Sequence, residues 1–155
     1  MRTIKTGLCS YGMSGKLFHA PFIDSHPGFE LTAIVERSKN ESRERYPVSK
    51  CYRSFEELLA DTSIELIVVN TPVQTHYEMV KAALQAGKHV VVEKPFTVTA
   101  SEAEALEAIA GEANRMLIVY QNRRYDGDFK AIKKVVDDKM LGDLREVEFR
   151  YDRYR

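Results

Sequence analysis

The sequence predicts an α/β fold, a doubly wound parallel sheet covered by helices on both faces, and three observations carry that prediction. Runs rich in Leu, Ile and Val alternate with helix-like stretches along most of the 155 residues, as in repeated strand-helix-strand crossovers. Two runs, Ile64 to Val69 and His89 to Val92, are apolar almost without interruption, as strands buried on both faces are. Finally, Arg2 to Phe22 reads as a short strand, a tight glycine turn and the start of a helix, a local plan that gathers backbone amides around an anion.

Taken in order, the first strand ends in Leu8 and Cys9, and the turn is Ser10, Tyr11, Gly12, Met13, Ser14 and Gly15. Gly12 allows close approach of the backbone to a diphosphate, and Gly15 lets the first helical turn lie flat against the strand. Ser10 stands where G-x-G-x-x-G has its first glycine, so the fingerprint is incomplete. The helix from Lys16 to about Ser25 contains Pro21, which ends or restarts it near Ala20. Pro27 and Gly28 turn the chain into a second strand, Phe29 to Val35, which ends at Glu36. A polar helix from Asn40 to about Tyr46 and a short edge strand, Lys50 to Arg53, follow. Ser54 and Glu57 form a capping box for a helix with Phe55, Leu58 and Leu59 on its apolar face. After the strand at 64–69, a helix from about Thr75 to Ala86 buries Tyr77, Val80 and Leu84 and stops at Gly87. Beyond His89 to Val92, Ser101 and Glu104 read as a second capping box, opening a helix with the stripe Leu106, Ile109, Ala110 and Ala113. Met116 to Val119 is the last strand of the set.

Composition narrows the function. Apolar content of 44% with 30% charged residues is ordinary for a globular domain. A formal charge of zero gives no electrostatic reason to expect nucleic acid or an acidic membrane, so the expected partner is a small molecule. Cys9 and Cys51 have no C-x-x-C spacing and read as reduced thiols, and no apolar run approaches a membrane span, so cytoplasmic residence is expected. The four histidines have no mutual spacing suited to a metal, and no metal site is predicted.

In a parallel sheet of this kind ligands sit outside the carboxyl ends of the strands. The unusual polar clusters all fall at such ends: Ser10 to Gly15, Glu36, Asn70-Thr71-Pro72, Glu93-Lys94-Pro95 and Gln121 to Arg123. Glu36 lies about 20 positions past the glycine turn, where a dinucleotide site places a carboxylate for the adenosine ribose hydroxyls. That favours NAD. Arg37 and Ser38 could instead hold a 2′-phosphate, which keeps NADP open.

Together these clusters resemble the glucose–fructose oxidoreductase and inositol dehydrogenase (Gfo/Idh/MocA) family. The specific elements are the glycine turn, Asn70-Thr71-Pro72 with His76, Glu93-Lys94-Pro95, and Tyr120-Gln121-Asn122-Arg123-Arg124 leading into Asp128-Phe129. The resemblance implies a Rossmann-type domain over residues 1–121 and, over 122–155, the first helix and strand of an incomplete α+β substrate domain. It implies an NAD(P)-dependent dehydrogenase or reductase acting on sugars, polyols and related small molecules, with a homo-oligomer expected of the full-length protein. Lys94 is the implied catalytic residue, orienting substrate and nicotinamide and assisting proton movement. Glu93 orients Lys94 or binds a ribose, and a cis Lys94–Pro95 bond is implied. Asn70, Thr71 and Pro72 would line the nucleotide and Gln121 would complete it. His76 either contacts the ligand or holds the neighbouring loop, while His19 reads as a packing residue or a helix-end contact.

A further helix is expected from Asp128 to Met140, with Phe129, Ile132 and Val136 on one face, followed by an alternating strand from Asp143 to Arg155. That strand has no partner in the sequence, so the expectation is a chain cut inside its second domain, binding dinucleotide weakly at best and turning over nothing. Two other classes stay open: a cofactor-sensing or regulatory protein, and an interaction domain in which Ser10 marks loss of the pocket.

Overall fold

A computed structural model describes residues 2–150 and 152 of the chain. The chain divides into two units, residues 1–120 and 121–155. The first contains strands β1 (Ile4–Leu8), β2 (Phe29–Val35), β3 (Lys50–Tyr52), β4 (Leu66–Val69), β5 (His89–Val92) and β6 (Leu117–Val119). Its helices are α1 (Ala20–Ser25), α2 (Glu41–Arg45), α3 (Phe55–Ala60), α4 (His76–Gln85) and α5 (Ala100–Glu112). All strand pairs are parallel, in the order β3-β2-β1-β4-β5-β6. The order reverses between β1 and β4, and connections leaving those two strands on opposite sides open a crevice at their carboxyl ends.

Alternating side chains send each strand's apolar residues to two faces. Val35, Ile67, Val69, Val90 and Val92 meet Leu58 of α3, Val80, Ala83 and Leu84 of α4, and Leu106 and Ala110 of α5. On the other face Leu8, Ile34 and Val68 meet Ala20 of α1 and Tyr46, which follows α2. This double burial explains the nearly uninterrupted apolar runs in β4 and β5.

Local chemistry sets the helix starts. Gly15–His19 form a π-helical turn before α1, and the break falls where Pro21 has no N–H to donate. Ser54 caps α3 by accepting from Glu57 N at 3.2 Å, while the Glu57 carboxylate takes the N–H of Arg53 at 2.7 Å rather than that of Ser54. The second capping box is Thr99 with Glu102, two residues before the expected Ser101 and Glu104. Both pairs have the right spacing, but the box needs an extended residue at its start, and Thr99 supplies it at φ −126 and ψ 157. Ser101 already lies inside the first turn.

The second unit contains a 3₁₀ turn (Asn122–Tyr125) and α6 (Gly127–Asp137). The expected helix end at Met140 is corrected to Asp137, because Lys139 takes a left-handed backbone at φ 52. The expected strand from Asp143 is also absent among the described residues, where 143–150 form no ladder. A strand exists through hydrogen bonds to a neighbour, and the alternation of Val147 and Phe149 supplies none; both are exposed. Tyr151 and 153–155 lie outside the described residues. No helix among the described residues is long and apolar enough to cross a membrane.

Candidate functional site at the carboxyl ends of the strands

The turn after β1 is shaped by close fit. Among the described glycines only Gly87 and Gly142 have positive φ, so Gly12 and Gly15 matter for space. A Cβ on Gly15 would stand 2.3 Å from Ser10 O and 3.1 Å from Asn70 Nδ2, so the protein itself demands glycine there. A Cβ on Gly12 would meet only Ser10 Oγ, at 3.5 Å. Gly12 is exposed and presents bare backbone to the adjoining cleft. Ser10 keeps the turn closed, its Oγ accepting from Gly12 N at 3.3 Å. Asn70 ties the end of β4 to the same turn, donating from Nδ2 to Ser10 O at 2.8 Å and Ser14 Oγ at 3.3 Å. Its Oδ1 is buried without a partner among the described residues.

Beside this turn lies a cleft of about 980 Å³. It brings together Ser10, Tyr11, Gly12, Met13, Glu36, Arg37, Ser38, Thr71 and Pro72 of the expected site, and adds Lys39 and Arg53; Glu93 and Lys94 are not among its lining residues. Ser14, Gly15 and Asn70 support the turn from below. Gln121 begins the second unit.

Glu36 sits at the end of β2 and is only 6% exposed. Its Oε1 accepts from Glu41 N at 3.1 Å, and its Oε2 accepts from Ser42 N at 2.9 Å and from the Ser42 hydroxyl. The carboxylate therefore satisfies the first turn of α2. Arg53 fixes the intervening segment, donating from Nη1 to Glu36 O at 2.9 Å and Lys39 O at 2.6 Å, and from Nη2 to Asn40 Oδ1.

Of the two roles open to His76, ligand contact and a hydrogen bond to the neighbouring loop, the structure shows the second, and its place among the cofactor contacts is corrected to that of a buried brace. His76 is 1% exposed, with Nδ1 3.0 Å from Pro95 O and 3.1 Å from Phe96 O, and Nε2 2.8 Å from Thr71 O. Both ring nitrogens are occupied by main chain, leaving nothing for a ligand. The ring locks the loop after β4 to the loop after β5, where Lys94–Pro95 is cis.

Glu93, at the end of β5, accepts from Lys94 N at 3.0 Å through Oε2, and its Oε1 lies 2.8 Å from His19 Nε2. His19 is 4% exposed and lies against the Tyr120 ring at 4.4 Å between centroids. The Tyr120 hydroxyl donates to Phe18 O at 2.9 Å. Burial holds the His19 pKa below its ordinary value despite the opposing hydrogen bond to Glu93, so a neutral ring donates from Nε2 to the carboxylate. The sequence suggested packing or a helix-end contact for His19. Its signal was the position on the first turn after the glycine loop, but the carboxylate partner is 74 residues away. Lys94 itself is exposed, and its ammonium has no hydrogen bond or ion pair among the described residues.

A nucleotide fits the observations on this rim: a bare-backbone turn, a roomy cleft across the switch point and a strand-end lysine left without a protein partner. The comparisons agree. The family model described as "Oxidoreductase family, NAD-binding Rossmann fold" matches residues 4–121. An uncharacterised oxidoreductase of Schizosaccharomyces pombe is 46% identical over 100% of this chain and 44% of its own length. The scyllo-inositol 2-dehydrogenase (NADP(+)) of Bacillus subtilis is 42% identical over 99% of this chain and 43% of its own. A crystal structure of a candidate oxidoreductase from Bacteroides fragilis superposes with a TM-score of 0.84 at 56% identity, covering 91% of this chain and 44% of that one. The chain thus spans less than half the length of these relatives. With the family model matched over residues 4–121, most of its length, this chain belongs to the GFO/IDH/MocA oxidoreductase family and carries its NAD-binding Rossmann fold.

Proposed function

We propose that the whole protein containing these residues is an NAD(P)-dependent oxidoreductase acting on a hydroxyl or carbonyl carbon of a sugar, polyol or related small molecule, and that this chain contributes the cofactor side. The observation that carries this reading is the convergence on one sheet edge of the Ser10–Gly15 turn, the cleft beyond β2 and β4, and the unpartnered ammonium of Lys94 at the end of β5. When bound, the nicotinamide supplies a carbon that accepts or releases hydride. The turn amides and Gly12 would hold the diphosphate, with Thr71 and Pro72 alongside. Lys94 would orient the substrate oxygen by donating a hydrogen bond and steady the negative charge that develops on it. Glu93, fixed by His19, sets the backbone from which Lys94 projects. The Bacillus subtilis relative is named for scyllo-inositol, which makes cyclic polyols the first substrates to assay.

Two measurements test this reading. Titrating the 155-residue chain with NADH and NADPH, followed by nicotinamide fluorescence, is expected to show saturable binding without turnover. In the full-length protein, Lys94→Ala is expected to lower polyol-dependent reduction of the nucleotide by roughly a hundredfold or more while leaving nucleotide affinity nearly unchanged. A nucleotide sensor has no use for this ammonium, and equal turnover by the variant would favour that reading instead.

A further inference from the structure

The role proposed for Lys94, on which this inference rests, requires its ammonium to hold a defined position. A lysine side chain is a flexible four-carbon stem ending in a point charge, and here it is exposed, with no hydrogen bond or ion pair among the described residues. Its placement is therefore set by its backbone. Beyond the lysine, His76 grips the carbonyls of Pro95 and Phe96. Before it, Glu93 N donates to Val69 O at 2.9 Å, and the amide of Lys94 itself donates to Glu93 Oε2 at 3.0 Å.

A carboxylate that accepts from the next residue's amide fixes that amide only if it is held in turn. His19 holds it. The buried ring donates from Nε2 to Glu93 Oε1 at 2.8 Å, and Tyr120 clamps the ring from the side, lying against it while its hydroxyl donates to Phe18 O, one residue earlier. Tyr120 is itself tied to β5, its N–H donating to Val92 O at 2.8 Å. None of His19, Glu93 and Tyr120 lines the cleft, so whatever they do for a bound nucleotide passes through other residues.

The other end of this linkage is the glycine turn. His19 closes the π-helical turn Gly15–His19, which follows directly on that loop and is bonded to it through Lys16 N, donating to Gly12 O at 2.9 Å. Single π turns within helices occur frequently at functional sites. This one ends in the imidazole that joins the segment assigned to the diphosphate to the strand end that carries the ammonium.

We propose that His19 is a positioning residue for the reaction: through Glu93 it sets the Lys94 backbone in register with the glycine turn, so that one side chain outside the cleft places the ammonium relative to the seated nucleotide.

Two measurements test this. In the 155-residue chain labelled with nitrogen-15, solvent exchange of the Lys94 amide reports on its bond to Glu93. His19→Ala, or His19→Phe if the ring volume is needed for folding, should speed that exchange by about tenfold or more while the amides of β2 stay unchanged. His19→Gln, which can still donate to the carboxylate, should restore most of the protection. In the full-length protein with a cyclic polyol, the same removal of the imidazole should lower kcat by about tenfold, leave the KM for nucleotide within about twofold, and be rescued by His19→Gln. Because the effect passes through Lys94, repeating the substitution in a Lys94→Ala background should cost less than about twofold. The proposal is overturned if the Lys94 amide ignores the loss of His19, if kcat falls by the same factor in both backgrounds, or if the loss appears in the KM for nucleotide instead. Full turnover by Lys94→Ala alone, or no polyol-dependent turnover by the full-length parent, removes the reading of Lys94 itself and the positioning role with it.

Discussion

Two glutamates stand at the ends of two strands in the same sheet, and they do different work. Glu36 after β2 is buried and turned sideways, its oxygens saturated by the first turn of α2. Glu93 after β5 is partly exposed, held at one oxygen by His19 and at the other by the amide of Lys94. Each carboxylate joins its strand end to a neighbouring element, and each is followed by an exposed cation, Arg37 and Lys94, whose side chain has no hydrogen bond or ion pair among the described residues. Residue type and strand-end position, the features available in the sequence, are the same in both. The difference lies in which donors the fold brings within reach.

The largest expected effect on the fold comes from Glu36. Replacing it by Ala strands two backbone N–H groups and the Ser42 hydroxyl in a region where Glu36 and Ser42 are both buried. A loss of about 3 kcal/mol is expected, read from the midpoint of urea unfolding. Glu36→Gln, which keeps one acceptor oxygen, should lose about half of that. If Glu36→Gln were fully stable yet lost NADH binding, the cap would be incidental and the ribose role would return.

This contrast shows how much of the molecule was legible in the sequence. The sheet was readable because burial on both faces leaves apolar runs that need no partner to be recognised, and Phe29–Val35 and His89–Val92 fall on their expected boundaries. The Ser10–Gly15 turn was readable because its spacing is local. The partnerships were not. Glu36 with Ser42 depends on how the segment at 37–40 folds back, His19 with Glu93 spans 74 residues, and His76 closes a gap between two loops. Such contacts leave no period in the chain. The strand expected after Asp143 failed for a related reason: alternation names a face, but a strand also needs a neighbour.

An intermediate effect is expected at His19. His19→Ala removes the hydrogen bond to Glu93 and the support of the Tyr120 ring, and about 2 kcal/mol of stability should go with them. His19→Gln, which can still donate to the carboxylate, should recover part of it. The pH dependence distinguishes this pair from the Glu36 cap. Burial holds the folded His19 pKa below the ordinary value of 6.5, so as pH falls the unfolded chain takes up its proton first. Its contribution is therefore fully present above about pH 6.5 and declines below it, down through the folded value. Glu93 and Tyr120 are the titratable groups facing the ring. Urea midpoints measured between pH 5 and 8 should show this slope in the parent chain and a flatter one in His19→Gln.

The smallest effect on the fold is expected at Lys94, one residue beyond Glu93. Its side chain is exposed and makes no hydrogen bond or ion pair among the described residues, so Lys94→Ala should change stability by less than about 0.5 kcal/mol. The Glu93 carboxylate bonds to the backbone N–H of residue 94, a contact that alanine preserves. The substitution therefore removes the ammonium and leaves the loop in place. A midpoint unchanged from that of the parent chain would mean that this lysine contributes little to the fold, leaving any loss of turnover in the complete protein attributable to chemistry. A fall comparable to that of His19→Ala would mean that Lys94 is part of the brace, and the distinction between the two strand ends would narrow to the identity of their caps.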